Sequence, residues 1–318
     1  MRPKTRPTVL DGVVVVLDRP RDITNVGGVV RAMGNFGLSR LRLVEPAAYN
    51  EGRVLAVAHR GRPIIDRMER YSTLDAALAD CIYVLGTTAR VREVRHERMT
   101  PRQAAPALLR AAALGMTGPD SGAAHPGSGY EDTAPHDTMR GGGAGESGLA
   151  AILFGPEDNG LSNEALGRCN AVVTVPTAAE YSSLNLAQAT LLIGYELWLA
   201  ATEDPTAARR VPDAVAALSV TETHAAPDEP PARAAAREEM IAALEDVLWG
   251  MHPNNDAGRV HHTLARLRAV LLRAAPRAEE VHMLTRLFVH IARERSRKSE
   301  AESKPRLRCW SGGSCVHA

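Results

Sequence analysis

Aromatic residues make up only 4% of this 318-residue chain, and cysteine occurs four times, at Cys81, Cys169, Cys309 and Cys315, without a C-x-x-C pair. That spacing argues against a disulfide framework and a structural zinc site, so reduced thiols and no bound metal are expected. No apolar run reaches the roughly 20 residues that cross a bilayer, and Met1-Arg2-Pro3-Lys4 lacks the apolar stretch of a signal peptide. These absences point to a cytoplasmic protein with no membrane partner. Nucleotide fingerprints are missing too. There is no G-x-x-x-x-G-K-[ST], and the first apolar run is followed by Asp18-Arg19-Pro20-Arg21 instead of a glycine-rich turn, which disfavours a Rossmann site.

What is present is an ordinary globular composition, 45% hydrophobic and 24% charged, at a length that suits one or two domains. The net charge of +1 hides an uneven distribution: residues 1–110 carry +8, residues 111–233 carry −11 and residues 234–318 carry +4. A basic N-terminal region is compatible with a polyanion partner such as RNA, although a solvated basic surface has the same composition.

The pattern along the chain is that of an α/β domain. Val13 to Leu17 is a β-branched run suited to a strand buried on both faces, and Asn25 is a candidate N-cap for a helix carrying Val26, Val29, Val30, Met33 and Phe36, with Gly37 as its stop. Strands are expected at Leu41–Val44, Cys81–Leu85, Ala150–Phe154 and Ala171–Val175, with a helix opening at Pro101. Ser182-Ser183 is the expected cap of a helix from Leu184 to about Ala201, apolar on nearly every side and therefore destined for a core or a subunit interface. This unit spans residues 1–204. Within it, residues 115–148 are rich in Gly, Pro, Ser, Asp and His and are expected to form a disordered insertion. Residues 205–233 suit a linker, 234–296 a small all-helical module of three amphipathic helices, and 297–318 a disordered tail.

Three short stretches fall at strand–loop or loop–helix junctions. They are Asn25-Val-Gly27-Gly-Val-Val-Arg31, then Phe154-Gly155-Pro-Glu157-Asp-Asn-Gly160-Leu161, then Pro176 with Tyr181-Ser182-Ser183-Leu184-Asn185-Leu186-Ala187-Gln188-Ala189. Singly, each reads as a cap or a tight turn. Together and in this order they resemble the three motifs of the SpoU (TrmH-like) RNA 2'-O-methyltransferases of the SPOUT superfamily, over nearly all of residues 9–201 apart from the insertion. Gly86-Thr87-Thr88-Ala89-Arg90, the third motif and the helical extension resemble most the branch acting on nucleotide 32 (cytidine or uridine) of the tRNA anticodon loop.

The resemblance implies a mostly parallel sheet whose C-terminal part is threaded into a trefoil knot, an S-adenosylmethionine cofactor and a homodimer. It implies cofactor contacts on Thr87, Thr88, Ala89, Gly155, Gly160, Val175, Ser182, Ser183 and Leu184, and a catalytic set of Arg31, Asn25, Glu157, Ser183 and Asn185. A guanidinium is a poor proton acceptor, so Arg31 reads as a clamp on the adjacent phosphate and the developing alkoxide, with Asn185 and Ser183 orienting it or the ribose. Arg19, Arg21, Arg60, Arg62 and Arg90, with Arg92 and Arg95, are the expected RNA contacts. A ribosomal RNA methyltransferase of the same family and a catalytically silent RNA-binding protein are the alternatives.

Overall fold

A computed structural model describes residues 9–47, 49–89, 98–116, 148–178, 180, 183–203, 230–251 and 257–303. Seven described strands form one sheet in the order β3-β2-β1-β6-β4-β7-β5, every neighbouring pair parallel. They are β1 (Val13–Asp18), β2 (Arg40–Val44), β3 (Glu69–Tyr71), β4 (Cys81–Thr87), β5 (Arg98–Met99), β6 (Leu149–Phe154) and β7 (Ala171–Val173). The apolar run of β1 alternates between two cores. Val13, Val15 and Leu17 join the core on one face, while Val14 and Val16 join the core on the other, which is why every position of this strand is apolar or buried. The edge strands β3 and β5 have only three and two residues and carry arginine and glutamate, so no apolar run announces them.

Helices α1 (Ile23–Asn35), α5 (Pro101–Met116) and α7 (Leu186–Glu203) cover one face. Helices α2 (Glu51–Val57) and α3 (Arg62–Ile65) lie beside α1, while α4 (Leu74–Leu78) and α6 (Asn163–Leu166) cover the opposite face. Two expected caps are corrected. Helix α1 is capped by Asp22, in extended backbone, whose side chain accepts from the Thr24 amide at 2.8 Å; Asn25 therefore sits inside the first turn with its side chain free for other work. Helix α7 is capped by Asn185, whose Oδ1 accepts from the Ala187 amide at 2.8 Å, and not by Ser183. Gly37, at φ 70°, ends α1 as expected.

The second face of α7 is not buried in the single chain. Leu186, Thr190, Ile193 and Leu197 pack inward, whereas Leu191, Leu192, Tyr195 and Trp198 remain exposed. The insertion falls almost wholly outside the described residues, but its ends meet: the Gly148 amide donates to the Gly115 carbonyl at 3.0 Å.

Three C-terminal helices follow, α8 (Ala234–Met251), α9 (Ala257–Ala274) and α10 (Ala278–Ser303), with small cores around Met240 and Val281 and around Ile241, Val260 and Leu264. Helix α10 runs past the expected end near 296 because Ala, Arg, Glu and Lys continue without a breaker until Pro305. The module packs against the first unit through polar contacts. Buried Arg237 donates to the Ile82 carbonyl at 3.4 Å, Asn170 Nδ2 to the Leu272 carbonyl at 3.3 Å, and Arg168 contacts both Asp75 and Glu238.

Candidate active site

The loops after the strands carry the quoted motifs to one end of the sheet. Glu157 follows β6, Asn25 lies in the first turn of α1 after β1, and Asn185 caps α7. Three residues from distant parts of the chain form one hydrogen-bonded line: Asn25 Nδ2 donates to Glu157 Oε1 at 3.0 Å, and Asn185 Nδ2 donates to Asn25 Oδ1 at 2.7 Å. The polarity of the line is fixed at both ends. A carboxylate only accepts, so Asn25 must offer Glu157 its amino group and present its carbonyl to Asn185. At the other end the α7 amides only donate, so Asn185 must turn its own carbonyl toward them.

Glu157 also receives the Arg21 amide at 3.0 Å and the Asp22 amide at 3.3 Å, which ties the loop before α1 to the loop after β6. Burial acts to raise its pKa, but the Asn25 amino group and the backbone amides outweigh it and hold the carboxyl below the ordinary carboxylate range. On the α7 side, Gln188 Oε1 accepts from the Asn185 amide at 3.1 Å, completing a reciprocal capping box with Asn185. Close helix contact supports the same place: a Cβ on Gly28 would lie 2.6 Å from the Ala187 Cβ, so glycine lets α1 meet the start of α7.

Arg31 lies one turn beyond Gly28, exposed, and among the described residues it makes no hydrogen bond or ion pair. The Asn185 side chain thus bonds Asn25. Ser183 is exposed two residues before the cap, and Leu184 is half-buried. Thr87 ends β4 and Thr88 and Ala89 follow it, Gly155 follows β6 and Val175 follows β7; because these strands are neighbours in the sheet, the residues gather at adjacent carboxyl ends, where ligands of parallel sheets bind. The Thr87 hydroxyl donates to the Leu153 carbonyl at 3.1 Å and the Thr88 amide to the Val173 carbonyl at 3.1 Å, locking these ends together. A Cβ on Gly155 would stand 2.3 Å from the Gly160 carbonyl carbon, so the loop closes on itself only because that position is glycine. Gly160, at φ 64°, has open space where a Cβ would stand.

Arg19 and Arg21 flank this end of the sheet, Arg19 paired with buried Asp18 and Arg21 with Asp158 at 2.7 Å. Arg60 is exposed, and Arg62, paired with Glu51 and with Asp66 at 3.7 Å, begins α3 on the far side of α1. Ser182, Arg90, Arg92 and Arg95 lie outside the described residues. Sequence reasoning overlooked Gln188 as part of a site and Asp22 as a cap. The N-x-x-Q spacing of Asn185 and Gln188 is the signal that locates the α7 start.

The chain is similar to known RNA methyltransferases. The model of the SpoU rRNA Methylase family matches residues 12–112 and 130–195. A tRNA (cytidine/uridine/adenosine-2'-O-)-methyltransferase TrmJ from Pseudomonas aeruginosa is 34% identical over 201 residues, 62% of this chain and 66% of that protein. A tRNA (cytidine/uridine-2'-O-)-methyltransferase TrmJ from Cronobacter sakazakii is 30% identical over 295 residues, 91% of this chain and all of that protein. Among solved structures, TrmJ from Z. mobilis ZM4 superposes with a TM-score of 0.62 at 27% identity, covering 87% of this chain and 98% of that one. The family match spans more than half of the chain and includes all three motif segments: the chain belongs to the SpoU rRNA Methylase family of RNA methyltransferases.

Proposed function

We propose that this protein transfers a methyl group from S-adenosylmethionine to a ribose 2'-hydroxyl of tRNA, at nucleotide 32 of the anticodon loop. The observation that carries the reading is the Glu157–Asn25–Asn185 line, which joins the three motifs beside the clustered ends of β4, β6 and β7. The relatives' tRNA substrates and the helical extension that this chain shares with them over 295 residues support tRNA over ribosomal RNA. In this reading residues 1–204 are the catalytic unit, 205–233 the connection, 234–296 an accessory module and 297–318 a tail. The enzyme works in the cytoplasm as a homodimer, with the exposed apolar strip of α7 assigned to the partner copy, and the knotted path implied by the resemblance belongs to the same proposal.

The residues present fit the cofactor. Thr87, Thr88, Ala89, Gly155, Gly160, Val175, Ser182, Ser183 and Leu184 offer mostly backbone groups, and the open space above Gly160 leaves room for close approach. When bound, S-adenosylmethionine supplies an electrophilic methyl group with a neutral thioether as leaving group. The protein's task is then to place one hydroxyl in line with that carbon and to stabilise the charge that develops on its oxygen. Arg31, exposed and without a protein partner among the described residues, is available as the clamp on the phosphate and the alkoxide. Asn25 and Asn185, held in one orientation by Glu157, fix the floor against which the ribose is set.

The test is methyl transfer from labelled S-adenosylmethionine to tRNA lacking ribose methylation, with ribosomal RNA in parallel and the product mapped by mass spectrometry. Label at nucleotide 32 is the expected result. Label confined to ribosomal RNA replaces the substrate assignment, and cofactor binding without transfer to either RNA refutes the enzymatic reading.

A further inference from the structure

A cavity of about 270 Å³ opens between the loop after β1 and the loop after β6, lined by buried Leu161, half-buried Pro156, Gly160 and the polar side chains of Arg19, Arg21, Asn159 and Ser162. None of the expected cofactor contacts except Gly160 lines it. We propose that this cavity receives one unstacked nucleobase of the RNA, at or beside the methylated nucleotide, a proposal that rests on the RNA reading above.

Size is the first argument: the cavity falls just below the range of about 300–1,000 Å³ typical of drug-sized ligands, which suits a single planar base and not a dinucleotide. Charge is the second. Arg19 spends Nε and Nη2 on the two carboxylate oxygens of buried Asp18, at 3.2 and 3.1 Å, and Arg21 pairs with Asp158 at 2.7 Å. Each guanidinium is already neutralised, so a phosphate entering here meets a carboxylate beside every cation. An uncharged base meets no such repulsion and stacks on the flat face that a paired guanidinium leaves open.

Edge recognition is the third argument. Asn159 is exposed, and among the described residues its amide has no hydrogen-bond partner, so it offers a donor and an acceptor to a base edge. Ser162 Oγ accepts from the Ala165 amide at 3.1 Å and keeps its own proton to donate. The cavity is also coupled to the Asn25 cluster, because the Arg21 amide and Asn25 bond the same Glu157 carboxylate. Arg19, a non-glycine residue at φ 49°, donates its amide hydrogen to the Val44 carbonyl at 2.8 Å, which pins the backbone from which its side chain lines the cavity.

The experiment uses the full chain and an anticodon stem-loop in which single abasic sites are placed at the methylated nucleotide and at each neighbour. Loss of one base is expected to lower kcat/KM about tenfold or more at one position and little at the others, the effect of removing a stacked base. Asn159→Asp keeps the shape and replaces the amide donor by an acceptor, so base preference should shift at that same position with an unchanged melting temperature. Equal penalties at every position, or an Asn159→Asp profile identical to wild type, overturn the base receptor while leaving methyl transfer standing. A penalty that follows neutralisation of one phosphate by methylphosphonate, and not base removal, overturns it in favour of a phosphate site. Wild-type protein that methylates no RNA overturns the underlying reading and the receptor with it.

Discussion

Replacing Asn185 by aspartate tests whether the polarity of the three-residue line matters for catalysis. The substitution retains the cap of α7, since aspartate accepts from the Ala187 amide as asparagine does and its charge suits a helix N-terminus. It removes the donor that reaches Asn25 Oδ1 at 2.7 Å and sets a carboxylate against a carbonyl oxygen. Asn25 must then turn its amide, which strips Glu157 of its side-chain donor. A lost neutral hydrogen bond costs about 1 kcal/mol and one to a charged group about 1.5–3 kcal/mol. The exposure of the line moderates that sum, so kcat/KM should fall about 10- to 100-fold. The melting temperature should fall by only a few degrees, because the cap survives and the lost bonds are exposed. Single-turnover methylation with thermal melting of the same preparations reads both quantities. Adding Glu157→Gln supplies an amino group to the turned Asn25 and should restore part of the activity. Wild-type kcat/KM in the single variant, or a double variant no better than the product of its singles, refutes the reasoning.

Arg31→Lys keeps the charge and loses the planar fork, so transfer should drop about tenfold or more with the fold intact; near wild-type turnover rules out bidentate geometry. Glu157 has a pKa below its unfolded value, so its stabilisation is complete above the unfolded carboxyl pKa of about 4.3 and is lost as pH falls through the lowered folded value. Melting curves between about pH 6 and pH 3 should therefore decline less steeply in Glu157→Gln than in wild type, and parallel declines contradict the assignment. Gly28→Ala drives a Cβ to 2.6 Å from the Ala187 Cβ and should cost about 1–3 kcal/mol by denaturant unfolding, with an unchanged midpoint the contrary result. Gly155→Ala meets backbone at 2.3 and 2.4 Å and should weaken S-adenosylmethionine binding in calorimetry more than it weakens the fold; unaltered affinity removes that loop from the cofactor site.

The central strands and the main helices were legible because their apolar residues are continuous or recur at helical spacing, as in Val13 to Leu17 and in α1. The edge strands were not, since Glu69-Arg70-Tyr71 and Arg98-Met99 owe their pairing to neighbours and not to their own composition. Both misplaced caps have one cause: several residues able to cap stood close together, and only tertiary contacts decide among them. Asp22 took the role given to Asn25, which freed Asn25 to bond Glu157. The motif residues themselves were visible as an ordered set, but their joining could not be read from spacing, because Asn25 and Asn185 are 160 positions apart. The exposed half of α7 shows the limit of hydropathy, which marks an apolar helix without saying how much of it one chain covers.

The sheet order has a consequence for biosynthesis. The strand at its centre, β6, is made after both of its neighbours, β1 and β4. A ribosome that has released residue 116 but not residue 154 holds a chain in which β1 presents unpaired amides and carbonyls along one edge and β4 along both, since β7 is also still to come. Such edges recruit other chains as readily as their own. Nascent protein in this window is therefore the form most in need of protection, and insertion of β6, followed by pairing of β7 with β4, ends it.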